Sequence, residues 1–322
     1  MKKILDSVLE AIGNTPLVRL TKITSQEEIH AEILAKLEYL NPSGSTKDRI
    51  ALQMIKEAEA NGQISPGKTI IEATTGNTGI ALSMVAAAKG YKFRAYTPDT
   101  VSNTERMKIM ACYGAEQEVV KRDLRTADES GVHGALFEIA PRIRCRAEEQ
   151  RNADVWWARQ FNNPENVRAH KETTGKEIID DTDGHVDVFV ASVGTGGTLL
   201  GVAQALKERV SGVRIVAVEP ESHPLLSQGE DAFQLIPGIT DGILWQALHD
   251  HSIDEVVVVK DEEAIVMARR LAEEEGLFCG VSSGANVFAS VQIAKKMKKE
   301  SRVVTVLPDN RDRYLREERY IT

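Results

Sequence analysis

Cysteine is scarce. The 322 residues hold three, Cys112, Cys145 and Cys279, with no Cys-x-x-Cys pair and no second Cys or His at metal-ligand spacing. That excludes a disulfide scaffold and a zinc module, and it fits a reducing compartment. A basic excess is also missing: Lys plus Arg number 40 against 48 Asp plus Glu, a net charge of −8. Such a chain has no electrostatic reason to bind nucleic acid or an anionic membrane surface. No stretch approaches the roughly 20 apolar residues of a transmembrane helix, and Asp6 and Glu10 interrupt the N-terminal run. Internal repeats, low-complexity tracts and Gly/Ser-rich linkers are absent, so composition marks no domain boundary. With 42% apolar and 27% charged residues, the chain is neither disordered nor a coiled-coil rod. At about 150 residues per domain, two domains and a cytoplasmic protein are expected.

What is present is alternation. Apolar, β-branched runs at Thr69–Ala73, Lys92–Thr97, Val186–Val193, Ile215–Glu219, Glu255–Val259 and Arg302–Leu307 read as strands. Several are apolar on successive residues, as strands covered on both faces require. Helices lie between them: Ala-rich Gly79–Lys89 stops at Gly90, Ser102 and Glu105 form a capping box ahead of Met107–Cys112, and Asp261 can cap Glu262–Glu275. The pattern predicts an α/β fold with mostly parallel sheets. Lys121–Arg151 is irregular and locally basic, readable as a solvated face or as a lid toward an anion.

Four loops at strand ends or helix starts can carry chemistry, since ligands of open α/β sheets bind at that edge. Val193-Gly-Thr-Gly-Gly-Thr198 lacks the third glycine of a dinucleotide fingerprint and the Gly-Lys-Ser/Thr of a Walker loop. It remains a cradle for a single phosphate, with backbone N–H groups and a helix N-terminus facing one anion. Ala73-Thr-Thr-Gly-Asn-Thr-Gly79 supplies hydroxyl, amide and backbone donors suited to a carboxylate. In Asn41–Arg49, Ser45 caps a helix that runs to Asn61 and places Lys47 in its first turn. A cation there opposes the helix dipole, which favours a neutral amine able to form a Schiff base. Gly280-x-Ser282-x-Gly284 matches a hydrolase nucleophile elbow, yet no histidine follows His251. Ser282 is therefore free to hydrogen-bond a cofactor ring.

A phosphate cradle, a Schiff-base lysine and a ring-facing serine converge on pyridoxal 5′-phosphate. The chain closely resembles the cysteine synthase and cystathionine β-synthase family of fold-type II pyridoxal-phosphate enzymes. Ile12–Leu17, Lys36–Arg49, Thr74–Gly79, Gln160–Pro164, Gly194–Thr198, Gly276–Gly284, Leu307–Asp309 and Arg313–Leu315 carry the likeness. The resemblance implies two α/β domains with the cofactor in the cleft between them. A smaller mobile domain would comprise residues 1–14 and 35–160, and a larger phosphate-binding domain 15–34 and 161–322. Lys47 would hold the cofactor as an internal aldimine and then take the substrate's α-proton. Asn77 would bond the 3′-oxygen, Gly194, Thr195, Gly196, Gly197 and Thr198 the phosphate, and Ser282 the pyridine nitrogen. Thr74, Thr75, Asn77, Thr78 and Gln160 would bind the substrate. A serine hydroxyl makes the ring a weaker electron sink than a carboxylate would, which suits β-elimination. The implied reaction is β-replacement through an aminoacrylate, O-acetyl-L-serine plus sulfide giving L-cysteine plus acetate, in a homodimer.

The departures keep an alternative open. Ala73 and Thr75 replace the family's usual Pro and Ser, and the stretch before Gln160 is about ten residues longer than in typical cysteine synthases. Pro237-Gly-Ile-Thr-Asp-Gly242 stands where Gly-Ile-Gly-Ala-Gly is usual. There Asp241 either points away and fixes the loop, or it would repel bisulfide and activate water or a neutral thiol. The alternative is β-replacement on cysteine or serine, with sulfide release or thiol condensation; O-phosphoserine is a further candidate donor.

Overall fold

The computed structural model of the chain describes residues 4–99, 105–121, 139–222, 224, 226, 227, 243, 252–316 and 318. Among the described residues ten strands form two sheets. The larger contains β1 (Leu17–Arg19), β2 (Glu32–Lys36), β7 (Val188–Ser192), β8 (Arg214–Pro220), β9 (Glu255–Val259) and β10 (Arg302–Val306), in the order β1-β2-β10-β7-β8-β9. The smaller contains β3 (Thr69–Ala73), β4 (Lys92–Pro98), β5 (Glu116–Val120) and β6 (Val155–Trp157), in the order β5-β4-β3-β6. Every pairing is parallel except that of edge strand β1 with β2. The expected α/β fold with mostly parallel sheets is therefore what the chain adopts.

The helices are α1 (Thr21–Gln26), α2 (Lys47–Ala60), α3 (Asn77–Lys89), α4 (Glu105–Cys112), α5 (Ile139–Arg151), α6 (Pro164–Ala169), α7 (Lys176–Asp181), α8 (Gly197–Arg209), α9 (Asp261–Glu275) and α10 (Val281–Ala294). A π-helical segment, His170–Gly175, joins α6 to α7. Both faces of the larger sheet are covered. Ile33, Val190 and Val218 pack with Met267 of α9 and Val287 of α10, and Phe189 and Ile215 pack with Val202 and Leu206 of α8. In the smaller sheet Ile70 and Phe93 meet Ile55 of α2 and Ile80 of α3. Its other face, Ile71, Tyr96 and Trp157, meets Cys145 of α5. Burial on both faces is why these strands read as continuous apolar runs rather than alternating ones.

Two helix starts differ in detail from the sequence reading. Thr46, not Ser45, is the N-cap of α2, although the Ser45 hydroxyl accepts from the Lys47 N–H at 3.3 Å. Lys260 caps α9, and its N–H donates to Glu263 at 3.1 Å. The Ser102 capping box lies outside the described residues. The basic 141–151 segment is α5, laid on the smaller sheet, and several of its charges are compensated. Arg144 pairs with Glu118 and Glu148 and stacks on Tyr96, while Arg142 stacks on Phe161 and donates to Asn162.

Candidate active site

Four strands that pair in parallel deliver their following segments to one cleft. β3 leads to the Asn77 loop, β7 to Val193–Thr198, β10 to Pro308 and Asp309, and β2, through the segment 37–46, to Lys47. Lys47, Thr46, Asn77, Gly194, Thr195, Gly196, Thr198, Ser282, Asp309 and Tyr314 share a cavity of about 370 Å³. That is the size of a small-molecule site. Sequence separations of over 200 residues are brought within one side chain's reach.

Lys47 is the first residue of α2. Burial lowers its pKa, against the opposing pull of the Asp309 and Glu38 carboxylates. A buried network fixes the helix that carries it. Arg49 pairs with Glu38 at 2.7 Å and with Glu177 at 2.6 Å, and Glu177 also meets Lys36 at 2.9 Å. Glu38 is fully buried; burial alone would raise its pKa, but the Arg49 guanidinium brings it down to about 2.

Asn77 is held on both sides of its amide. Its carbonyl oxygen accepts from Arg313, which also donates to the Ser43 carbonyl, and its NH₂ donates to Asp309 Oδ2 at 2.7 Å. Tyr314 donates to the same Asp309 oxygen at 2.6 Å. The segment behind them is stitched to the Lys47 loop by Thr46 N–H to Pro308 O at 2.8 Å and Asn310 N–H to Gly44 O at 3.2 Å. Sequence reasoning gave Asp309, Arg313 and Tyr314 no role, because nothing local ties them to Asn77.

The carboxylate-loop residues gather one turn away. Thr78 donates to Gln160 Oε1 at 2.6 Å, and Gln160 Nε2 donates to the Ala73 carbonyl at 2.9 Å. The Thr74 hydroxyl accepts from Gly76 and Gly79 N–H at 3.3 and 3.2 Å, closing the turn. Thr75 begins the bend beside them. Beneath lies Glu72, fully buried, accepting from Ala73 N–H, Gln160 N–H and Trp157 Nε1–H at 2.8, 2.9 and 2.9 Å. Burial pushes its pKa up to about 7 against those three donors. The lining of the 370 Å³ cavity takes Asn77 from this group, and leaves out Thr74, Thr75, Thr78, Gln160 and Gly197. Asp241 and the loop 237–242 fall outside the described residues.

The donor set fits pyridoxal phosphate. A desolvated lysine, a glycine loop at the N-terminus of α8, an oriented amide and a serine at the N-terminus of α10 border one volume. Two buried polar atoms on its lining, Thr46 Oγ1 and Asp309 Oδ1, have no hydrogen-bond partner among the described residues. Residues 8–309 match the model of the pyridoxal-phosphate dependent enzyme family. The chain belongs to that family. It is 41% identical to a cysteine synthase of Staphylococcus aureus over 321 residues, 98% of this chain and 96% of the other. Among solved structures, a hydrogen sulfide-producing enzyme of Fusobacterium nucleatum aligns with a TM-score of 0.84 at 36% identity, covering 98% and 99% of the two chains. An O-ureido-L-serine synthase aligns at 0.85 and 38%, covering 99% and 96%. A cysteine synthase of Entamoeba histolytica aligns at 0.85 and 37%, covering 100% and 92%. Pyridoxal 5′-phosphate is the cofactor of this enzyme.

Proposed function

We propose that the protein catalyses β-replacement on a serine derivative, converting O-acetyl-L-serine and sulfide to L-cysteine and acetate. The Cβ–O bond breaks with acetate leaving, and a Cβ–S bond forms. Bound pyridoxal phosphate supplies the electron sink. The chain's own groups do the rest. Lys47 Nζ bonds the cofactor, then removes the α-proton of the substrate and returns it, a task suited to an amine that burial holds below its ordinary pKa. Asn77 donates to the 3′-oxygen, its amide turned the required way by Arg313 and Asp309. Gly194–Thr198 hold the phosphate at the N-terminus of α8. Ser282 faces the ring nitrogen, and Thr74, Thr75, Thr78 and Gln160 bind the α-carboxylate. The observation that carries this reading is that Lys47, Asn77, the phosphate loop and Ser282 border one cavity.

The reading includes a mobile unit of residues 1–14 and 35–160 closing on 15–34 and 161–322, in a cytoplasmic homodimer. Among the described residues no helix is long and apolar enough to cross a membrane. A second reading has support of its own, because a hydrogen sulfide-producing enzyme and an O-ureido-L-serine synthase align as well as a cysteine synthase does. In that reading the donor is cysteine, or the nucleophile is not sulfide, and Asp241 activates the nucleophile. An absorbance titration of the holoenzyme with O-acetylserine, O-phosphoserine, serine and cysteine separates the two. A spectral change with O-acetylserine, reversed by sulfide with cysteine formed, supports the first. A change with cysteine, giving sulfide and serine, would replace it with the second.

A further inference from the structure

The two threonines of the phosphate loop are backed by two buried side chains. Asn166 and His170 lie four residues apart, on α6 and at the start of the π-helical segment, and so share a face. Asn166 Nδ2 donates to the Gln160 carbonyl at 2.7 Å and to Thr195 Oγ1 at 3.1 Å. Thr195 Oγ1 thus accepts from Asn166 and from the Gly197 N–H at 3.4 Å, which leaves its O–H to donate elsewhere. His170 stands in the same relation to Thr198. Its Nε2 is 3.1 Å from Thr198 Oγ1 and its Nδ1 is 2.9 Å from Thr174 Oγ1. Close packing holds the ring there: a Cβ at Gly201 of α8 would lie 2.4 Å from the Val167 carbonyl and 2.7 Å from His170 Cβ.

Which ring nitrogen carries the proton follows from satisfaction of the buried groups. His170 and Thr174 are fully buried. Burial keeps the ring neutral, its pKa pushed down to about 3, with Lys47 and Arg49 adding to the effect and Glu38 opposing it. Among the described residues the Thr174 hydroxyl has no partner other than Nδ1. Were Nδ1 protonated, the Thr174 O–H would be left in the core without an acceptor, an arrangement folded proteins avoid. Thr174 therefore donates to Nδ1, and Nε2 bears the hydrogen.

We propose that His170 is a positioning residue whose Nε2–H donates to Thr198 Oγ1 and thereby commits the Thr198 O–H to the cofactor's phosphate. The polarity runs in one direction: Thr174 O–H to Nδ1, Nε2–H to Thr198, Thr198 O–H to a phosphate oxygen. The opposite tautomer would make Thr198 donate backward and present lone pairs to an anion. A π-helical turn at this point is in keeping, since such turns gather at functional sites. The inference rests on the phosphate reading of Gly194–Thr198 and adds a residue to it.

The test is nitrogen-15 NMR of the holoenzyme labelled at its histidine rings, with His170 assigned by its loss in His170→Gln. The expected spectrum shows a neutral ring protonated at Nε2 at pH 7. The bound phosphate's phosphorus-31 resonance should shift in His170→Phe, which should also bind pyridoxal phosphate about ten- to a hundred-fold more weakly, the factor expected for a hydrogen bond to a charged group. His170→Gln, which can keep an N–H near Nε2, should recover most of that loss. A ring protonated at Nδ1, or charged, in a protein that binds the cofactor would overturn the relay while leaving the proposed function standing. Equal cofactor affinity in His170→Phe would do the same. Should that variant not fold, the wild-type ring spectrum decides alone. A protein that takes up no pyridoxal phosphate overturns both.

Discussion

Two glycines of the same loop should fail in opposite ways when replaced by alanine. A Cβ at Gly197 would lie 1.8 Å from Asn166 Oδ1 and 2.6 Å from its Cγ. Asn166 is buried and cannot step aside without releasing the Gln160 carbonyl and Thr195 Oγ1. Two lost buried hydrogen bonds cost about 1–3 kcal/mol each, and overpacking adds about 1–3 kcal/mol. The better helix propensity of alanine offsets about 1 kcal/mol. Gly197→Ala should therefore lose roughly 2–8 kcal/mol of stability. At Gly194 a Cβ would meet no atom of the described residues within 4 Å beyond its chain neighbours, and the residue borders the cavity. Gly194→Ala should unfold as the wild type does, yet bind pyridoxal phosphate more weakly because the added methyl intrudes on the phosphate. Urea unfolding of the cofactor-free proteins reads the first effect, and equilibrium dialysis of the cofactor the second. The reasoning is refuted if Gly197→Ala unfolds at the wild-type urea concentration, or if Gly194→Ala is the destabilised one.

Other perturbations have defined signs. Glu38→Ala leaves buried Arg49 with Glu177 as its remaining carboxylate partner; a loss of about 3–5 kcal/mol in urea unfolding is expected, as for a broken buried pair. Glu72 has its pKa raised, so its contribution is full below its unfolded value and is lost as pH rises toward about 7. His170 has its pKa lowered, so its contribution is full above its unfolded value and is lost as pH falls toward about 3. Stability measured against pH should accordingly lose its neutral-side slope in Glu72→Gln and part of its acid-side slope in His170→Phe. Asp309→Ala removes one of the two groups that hold the Asn77 amide and leaves Arg313; the absorbance of bound cofactor and its titration with pH should change, while Asp309→Asn, which keeps an acceptor oxygen, should change less.

What the sequence made legible was what depends on local pattern. Strands buried on both faces, such as Thr69–Ala73 and Glu255–Val259, announce themselves by apolar runs, and the glycine loop after β7 by its composition. β2 was missed because its end carries Lys36, a residue whose charge argues for exposure but which is fully buried against Glu177 and Asp181. β5 and β6 were missed because three of the five residues of Glu116–Val120 are polar and Val155–Trp157 is only three residues long. The basic 141–151 stretch stayed open between a solvated face and a lid toward an anion because its partners, Glu118, Tyr96 and Phe161, are distant in sequence or on other elements. Lys47, Asn77 and Ser282, singled out through chemistry and resemblance, border one cavity. Asn166, His170, Asp309 and Arg313 were not, since each acts through a contact that only the tertiary fold creates.

The central claim is that Lys47 bonds the cofactor in the cavity it shares with Asn77, Gly194–Thr198 and Ser282. Borohydride reduction of the holoenzyme, followed by digestion and peptide mass measurement, tests it directly. The account predicts a pyridoxyl phosphate mass on the peptide containing Lys47 and none after Lys47→Ala. Modification of a different lysine, or an unmodified Lys47 peptide in a protein that carries the cofactor, would contradict it.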